Sequence, residues 1–389
     1  MEYAQRVHNL QAEGAYAVLG RAQELEAQGR EILHLEIGQP DFRTFPHISE
    51  RGIQAIRDGQ TRYNPPSGLP RLRQVIAADA GKRRGLGFTP AQVVVGPGAK
   101  PGLFFPTLAL VAPGDEVIYP DPGFPTYPAM VEIAGGVPVP VPLVEENGFS
   151  FDLQAFDERI NDRTKLIILN SPANPTGGVM PLADLEHIAA AAQAHDCWVM
   201  SDEIYARLSY DDRPVHSIAS LPGMAERTVI VDGFSKTYAM TGWRLGYSIM
   251  PEALAERVGL LMTHSVGCTA TFTQFAGIEA LTASQELADA VVPEYQRRRD
   301  RIVAGLNAIP GVRCQVPQGA FYAFPNITSF GLSSSQLARR LLDEAGVAVL
   351  AGTDFGSYGE GYLRLCYATS PDVIDRAVEH IGAFLNSLG

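Results

Sequence analysis

Short apolar runs alternate with amphipathic stretches between residues 90 and 250. Seven runs rich in Val and Ile are predicted strands, at residues 92–96, 116–119, 137–141, 165–169, 197–201, 228–231 and 244–250. Helical patterns lie between several of them, for example at 100–111 and 182–195. Continuous apolar strands separated by helices are typical of a parallel sheet that is covered on both faces. The pattern therefore predicts an α/β fold around a mostly parallel, seven-stranded sheet.

The pattern changes on either side of this region. Helical periodicity dominates at 252–257, 272–281, 285–308 and 334–345, with strands predicted at 312–316, 320–324 and 362–367. Before the sheet, helices are predicted at 16–28, 48–58 and 69–82. A chain of 389 residues exceeds the size at which a single core stops growing. We predict a large domain at 46–284 and a small α+β domain built from 1–45 and 285–389.

Composition narrows the classes of partner. The net charge of −12 argues against nucleic acid, because phosphate binding requires a basic face. No apolar run reaches the roughly 18–20 residues of a membrane helix. The four cysteines are scattered, without the spacing of a metal site or of a disulfide framework. With no signal-peptide pattern at its start, the chain is expected to be cytoplasmic, with no metal, membrane or nucleic-acid partner.

Polar side chains follow three successive predicted strands. Asn174 lies shortly after 165–169, Asp202 and Tyr205 follow 197–201, and Lys236 follows 228–231. In an open parallel sheet, ligands bind beyond the carboxyl ends of the strands, where the connecting loops meet. We therefore expect these four side chains to share one cleft.

Lys236 is the candidate nucleophile. It is one of only four lysines, and Arg244 follows it eight residues later. A desolvated lysine near another cation has a lowered pKa and reacts with aldehydes. An aldehyde cofactor with a ring nitrogen and a phenolic oxygen would need a carboxylate, for which Asp202 is the candidate, and donors such as Tyr205 and Asn174. Taken one at a time, a surface lysine and a turn-capping aspartate remain open alternatives.

A phosphate site is suggested by the glycine-rich segment 96–102, which joins a strand to a helix. The N–H groups of Ala99 and Lys100 would face an anion at the helix N-terminus. Ser235 and Arg244 would complete the site, since arginine binds phosphate through two nitrogens. Phe124 either stacks on a cofactor ring or belongs to the core.

Four motifs in this order resemble those of fold-type I pyridoxal-phosphate enzymes. They are Asn-Pro-Thr-Gly at 174–177, Asp-Glu-Ile-Tyr at 202–205, Ser-Lys at 235–236 and Gly-Trp-Arg-Leu-Gly at 242–246. The chain resembles class I/II aminotransferases, and bacterial aspartate aminotransferases in particular, from residue 38 to residue 365. The resemblance implies pyridoxal 5′-phosphate as cofactor, ping-pong exchange of an amino group between an L-amino acid and a 2-oxo acid, and a homodimer.

The resemblance also assigns residues. The implied catalytic residues are Lys236, the Schiff-base lysine that also moves a proton, with Asp202 on the ring nitrogen and Tyr205 on the phenolic oxygen. The implied cofactor-binding residues are Gly98, Ala99, Lys100, Phe124, Asn174, Asp202, Ile204, Tyr205, Ser235, Lys236, Arg244 and, from the neighbouring subunit, Tyr63. The implied substrate-binding residues are Gly38, Asn174 and Arg364, the last of which clamps the α-carboxylate.

The side-chain specificity stays open. Lys100 stands where some aspartate- and prephenate-using relatives carry a lysine for the distal carboxylate, but here Pro101 follows it directly. Aspartate or glutamate and a broad range of amino acids are both compatible with the sequence. A lyase or synthase on the same fold, such as a carbon–sulfur lyase, is the main alternative. A cofactor-binding regulator would need a basic helix-turn-helix region, and a dinucleotide enzyme would need a third glycine at its required spacing.

Overall fold

The structure, a computed structural model, describes residues 3–7, 10 and 12–388, so the outer limits of the predicted small domain lie outside the described residues. The described residues form thirteen strands: β1 (Leu33–His34), β2 (Val93–Gly96), β3 (Glu116–Asp121), β4 (Val137–Val144), β5 (Ser150–Phe151), β6 (Thr164–Asn170), β7 (Trp198–Asp202), β8 (Thr228–Gly233), β9 (Gly246–Ile249), β10 (Tyr322–Ala323), β11 (Val347–Ala348), β12 (Leu350–Ala351) and β13 (Leu363–Cys366). They also form twelve α-helices: α1 (Gly14–Ala27), α2 (Pro46–Arg57), α3 (Pro70–Arg84), α4 (Lys100–Leu110), α5 (Thr126–Ala134), α6 (Leu153–Arg159), α7 (Leu182–Ala194), α8 (Glu252–Ser265), α9 (Thr271–Thr282), α10 (Glu286–Asn307), α11 (Ser334–Ala345) and α12 (Pro371–Asn386). Within residues 3–7, 10 and 12–388, no helix has both the length and the apolar character needed to cross a bilayer.

The central sheet has eight strands in the order β2-β9-β8-β7-β6-β3-β4-β5. Neighbours among β8, β7, β6, β3 and β4 run parallel, whereas β9 is antiparallel to both β2 and β8. All seven predicted strands form, which confirms the α/β class and the mostly parallel sheet. The eighth strand, β5, pairs with β4 through only two residues and was not predicted from the sequence.

Both faces of the sheet are covered by helices, because successive strand side chains point to opposite faces. Leu166 of β6 packs in a cluster with residues of α4, α5 and α8. Its neighbour Ile167 packs in a separate cluster with residues of α6 and α7. Both side chains are fully buried. The continuous apolar pattern of the strands is therefore the consequence of burial on two sides.

The two ends of the chain meet in the smaller sheets. β1 pairs in parallel with β11, and β13 lies between β10 and β12 in an antiparallel sheet of three strands. Helix 334–345 forms as predicted, and the predicted helix at 252–257 extends to Ser265. The domain limits at 46–284 remain a prediction.

The predicted strand at 312–316 is wrong. The side chain of Asn307, at the end of α10, accepts a hydrogen bond from Cys314 N at 2.8 Å and donates to Cys314 O at 2.9 Å. The backbone N–H and C=O of Cys314, which a neighbouring strand would need for pairing, are therefore already hydrogen-bonded to this side chain. Only an isolated bridge between Arg313 and Asn326 remains there.

Candidate active site

The carboxyl ends of β6 and β7 are in register, so that Asn170 lies opposite Asp202. Asn170 Nδ2 donates to Asp202 O at 3.0 Å, and Asn170 Oδ1 accepts from Asn174 N at 2.8 Å. One amide therefore fixes the positions of two predicted site residues. Asn170 was not among the predicted residues, although a polar residue at the end of an apolar strand is a usable signal.

The carboxylate of Asp202 is buried at the end of β7. Its Oδ2 accepts a hydrogen bond from Tyr127 OH at 2.8 Å, and its Oδ1 accepts from Ile204 N at 3.3 Å. Burial raises the pKa of Asp202 to about 6, because desolvation disfavours the charged form. A cation placed beside this carboxylate would offset that cost. Sequence reasoning missed Tyr127, which lies three residues after the predicted Phe124.

The amine of Lys236 is enclosed by protein and donates to Gly38 O at 2.6 Å. The rings of Tyr205 and Phe321 lie on two sides, with centroids 5.7 and 5.6 Å from Nζ. Burial lowers the pKa of Lys236 to about 8, and the charges of nearby arginines act in the same direction. About a tenth of the amine is therefore neutral at pH 7, against well under a thousandth at the ordinary lysine pKa, and the neutral amine is the form that attacks an aldehyde.

A tyrosine pair lies beside this amine. Tyr205 OH and Tyr322 OH are 2.7 Å apart, and burial raises the pKa of Tyr205 well above its ordinary value. Gly38 packs directly against the same pair, since a Cβ at that position would lie 2.2 Å from Tyr322 OH. Only glycine therefore fits at 38 without moving Tyr322. The role of Tyr322 was missed because it lies 117 residues from Tyr205 in the chain.

Arg244 lies close to the N-terminus of α4. Gly98 has φ +92°, and a Cβ at that position would lie 2.4 Å from Arg244 Nη2. Arg244 is itself in the left-handed region, with φ 51°, and its Nη1 donates to Thr241 O at 2.8 Å. A Cβ on Gly246 would lie 2.5 Å from Ala99 N. The glycines thus let a guanidinium and backbone N–H groups come together, as an anion site requires.

Arg364 is almost completely buried and is held on several sides. Its Nη2 donates to Glu36 O, and its Nη1 lies 3.5 Å from Asn174 Oδ1. The guanidinium lies between the rings of Tyr322 and Phe355, 4.6 and 5.0 Å from their centroids. Within the described residues, its buried Nε has no hydrogen-bond partner. A fixed, incompletely satisfied guanidinium is suited to bind a carboxylate through two nitrogens.

The loop before α5 is tied to the loop below Arg364. The buried carboxylate of Asp121 accepts hydrogen bonds from Ser357 N and Tyr358 N, both at 3.1 Å. Gly123 N donates to Phe355 O at 2.7 Å. These contacts connect the end of β3 to the segment that carries Phe355.

The remaining predicted residues differ in their surroundings. Phe124 packs edge-on against Tyr127 with centroids 5.8 Å apart, and Ile204 and Ser235 are buried. Lys100 is half-exposed and forms an ion pair with Glu13. Tyr63 is 98% exposed, so it contributes nothing to the cleft of its own chain.

A cavity of about 780 Å³ opens beside Arg244. Its lining includes Pro97, Thr241, Trp243 and Thr269. The cavity therefore adjoins the start of α4 through Pro97 and Arg244, and its lining does not include Asp202, Lys236 or Arg364.

Comparison with known proteins gives concordant matches along nearly the whole chain. Residues 30–381 match the family described as aminotransferase class I and II. A putative aminotransferase, YugH, of Bacillus subtilis (strain 168) is 41% identical over 364 residues, which are 93% of this chain and 94% of that protein. An aspartate aminotransferase of Pyrococcus abyssi is 40% identical over 361 residues, 92% of each chain. The crystal structure of an aromatic aminotransferase from Pyrococcus horikoshii superposes with a TM-score of 0.90 at 40% identity, covering 95% of this chain and 99% of the other.

Proposed function

Since the chain belongs to the class I and II aminotransferases and is therefore a pyridoxal-phosphate-dependent transaminase of fold type I, we propose specific roles for its residues and a substrate range. The observation that carries the proposal is the enclosed amine of Lys236, whose pKa burial lowers to about 8. It lies in one cleft with the buried carboxylate of Asp202 and with the guanidinium of Arg364.

The residues around Lys236 fit the cofactor. When bound, the cofactor supplies an aldehyde that takes up the amino group and a ring that accepts electrons from the substrate α-carbon. Lys236 holds it covalently and then carries the proton from the α-carbon. Asp202 keeps the ring nitrogen protonated, and that cation removes the desolvation cost that now raises the pKa of Asp202 to about 6. Tyr205 and Asn174 donate to the phenolic oxygen.

The phosphate is assigned to the start of α4. Ala99 and Lys100 provide backbone N–H groups there, and Arg244 provides the counter-charge that an unpaired phosphate needs. Gly98, whose own N–H donates to Gly96 O at 2.8 Å, contributes by letting the Arg244 guanidinium come close. Ser235 adds a hydroxyl, while Ile204 and Phe124 cover the two faces of the ring. Because Tyr63 is exposed in its own chain, we assign it to the phosphate of a neighbouring subunit in a homodimer.

Arg364 is proposed to bind the α-carboxylate of the amino acid, together with Gly38 and Asn174. Its guanidinium is held in a fixed plane by Glu36 O and by the rings of Tyr322 and Phe355, and a fixed guanidinium can form two parallel hydrogen bonds to a carboxylate. The relatives include enzymes named for aspartate and for aromatic amino acids. We therefore propose a broad range of L-amino acid donors, with 2-oxoglutarate or another 2-oxo acid as acceptor, in the cytoplasm.

A donor and acceptor panel tests this proposal. Aspartate, alanine and phenylalanine are offered with and without 2-oxoglutarate, and formation of each 2-oxo acid is followed. Product that depends on the acceptor, with parallel formation of glutamate, supports transamination. Cysteine, which carries the sulfur leaving group that the other donors lack, is offered alone, and release of pyruvate, sulfide and ammonia from it without any acceptor would indicate the lyase alternative instead. The Lys236→Ala variant serves as the control for uncatalysed exchange.

The shared site is tested by subunit mixing. Homodimers of Tyr63→Ala and of Lys236→Ala should both have low activity, for different reasons. A hybrid dimer brings one intact Lys236 and one intact Tyr63 into the same site. Recovery of activity on mixing supports the assignment of Tyr63, and the absence of recovery in proven hybrids argues against it.

A further inference from the structure

We propose that Glu13 sets the side-chain preference of the site by occupying the ammonium group of Lys100 and so opposing donors with a distal carboxylate. This inference rests on the proposed aminotransferase function and names the substrate class that the site disfavours. The observation behind the proposal is one contact. The Glu13 carboxylate binds Lys100 Nζ, although the two residues are 87 positions apart in the chain.

The ammonium of Lys100 lies at the rim of the cleft described above. Its Nζ is 5.2 Å from the centroid of the Phe124 ring. That ring packs on Tyr127, whose hydroxyl donates to Asp202 at 2.8 Å. On this proposal, the side chain of a bound amino acid extends past Phe124 toward Lys100.

The backbone of the N-terminal segment places Glu13 at this rim. Glu13 directly precedes α1, in extended conformation, and its side chain does not cap that helix. The next residue, Gly14, is packed so closely on Asp354 that a Cβ would lie 2.6 Å from its Cγ. Asp354 belongs to the turn that ends in Phe355, the ring below Arg364. Glu13 thus reaches Lys100 from a segment that is seated against the carboxylate-binding side of the cleft.

The ion pair has little value for the fold itself. The side chain of Lys100 is 48% exposed and that of Glu13 is 28% exposed, and pairs at such exposure contribute little to stability. The ion pair affects substrate selectivity more than it affects stability. A neutral or aromatic side chain leaves the pair intact, whereas a second carboxylate must displace Glu13 or share the cation with it.

The central test uses the holoenzyme of Glu13→Gln. We expect kcat/KM for aspartate, divided by that for phenylalanine, to rise about tenfold, which corresponds to about 1.4 kcal/mol. Glu24→Gln is the matched control, because Glu24 is also an acid of the N-terminal segment but pairs with Arg21 on the exposed side of α1. Its ratio should stay that of the wild type. An unchanged or lowered ratio in Glu13→Gln would overturn the proposal.

A double-mutant cycle shows whether Glu13 acts through Lys100. In the Lys100→Met background, Glu13→Gln should leave the ratio unchanged, since the cation it competes for is gone. The same tenfold shift in that background would overturn the mechanism. Inhibition constants for succinate and butyrate give a second readout that does not require turnover of aspartate: only succinate should bind more tightly to Glu13→Gln.

The outcomes separate the two proposals. A wild-type enzyme that moves an amino group from no donor refutes the proposed function. A wild-type enzyme that is active on phenylalanine, with a ratio insensitive to Glu13→Gln, refutes only the role of Glu13.

Discussion

Removal of the Arg364 guanidinium should weaken recognition of the amino acid while the cofactor stays bound. The structure gives the reason: Arg364 is 4% exposed and is fixed by Glu36 O and by the rings of Tyr322 and Phe355. Its Nε has no hydrogen-bond partner among the residues that the structure describes. None of these contacts reaches the glycine-rich start of α4, where the phosphate is proposed to bind. The variant Arg364→Ala therefore separates substrate binding from cofactor binding.

The expected magnitude follows from the bonds that are lost. Two hydrogen bonds between a guanidinium and a carboxylate contribute about 1.5–3 kcal/mol each. Water that enters the space left in the variant recovers part of this, so we expect a net loss of about 3–4 kcal/mol. At about 1.4 kcal/mol per factor of ten, kcat/KM should fall by roughly 10²–10³.

The assay compares an amino acid with the amine that lacks its carboxylate. Steady-state kcat/KM is measured for phenylalanine and for phenethylamine, and cofactor content is measured by absorbance. The wild type should prefer phenylalanine strongly, and Arg364→Ala should lose most of this preference. Arg227→Ala is a matched control, because the buried Nε of Arg227 likewise has no partner in the described part of the chain, whereas its Nη1 donates to Ala192 O and Cys197 O, away from the cleft. Loss of cofactor from Arg364→Ala, or a retained preference for phenylalanine, would refute the assignment.

Three further predictions concern the amine, the acid and the loop contact. In cofactor-free protein, the rate of pyridoxal-phosphate uptake should increase with pH, with a midpoint near pH 8. The reason is that burial lowers the pKa of Lys236 to about 8 and only the neutral amine reacts. The rate is measured by stopped-flow absorbance, and a midpoint near pH 10 would contradict this. Burial raises the pKa of Asp202 from 3.8 to about 6, so the folded cofactor-free protein binds more protons than the unfolded chain between these values and loses stability as the pH rises through them. Asp202→Asn should remove that slope, which amounts to about 3 kcal/mol at most, in urea unfolding at pH 4 and pH 7; an unchanged slope would show that other groups cause it. Gly356→Ala should lower the unfolding free energy by about 2–4 kcal/mol, because Gly356 has φ +129° and a Cβ there would lie 2.1 Å from Asp121 Oδ1. Gly331→Ala, at φ +66° with open space around it, is its control and should cost only about 1 kcal/mol; equal losses in the two variants would mean that the Asp121 contact contributes nothing.

The sheet was predictable from the sequence because burial on both faces leaves an unbroken apolar pattern in each strand. The polar residues near the ends of β6, β7 and β8 were predictable for the same reason, since each lies within a few residues of the end of such a run. The absence of a strand at 312–316 was not predictable. The apolar pattern there carries no information about Asn307, whose side chain forms hydrogen bonds with the backbone N–H and C=O of Cys314.

The residues that sequence reasoning missed are supports that only the folded chain brings into place. Tyr322 meets Tyr205 from 117 positions away, and Tyr127 meets Asp202 from 75 positions away. Neither tyrosine differs by local pattern from an ordinary buried aromatic. Likewise, no local pattern pairs Lys100 with Glu13, which lies before the first helix and returns to the cleft only in three dimensions.

The site of covalent attachment tests the central claim most directly. The holoenzyme is treated with borohydride to fix the bond between protein and cofactor, digested, and mapped by mass spectrometry. Among the four lysines, Lys82, Lys100, Lys165 and Lys236, the account predicts the adduct on Lys236 alone, and its loss together with nearly all turnover in Lys236→Ala. An adduct on any other lysine, or near-native turnover of Lys236→Ala, would contradict it.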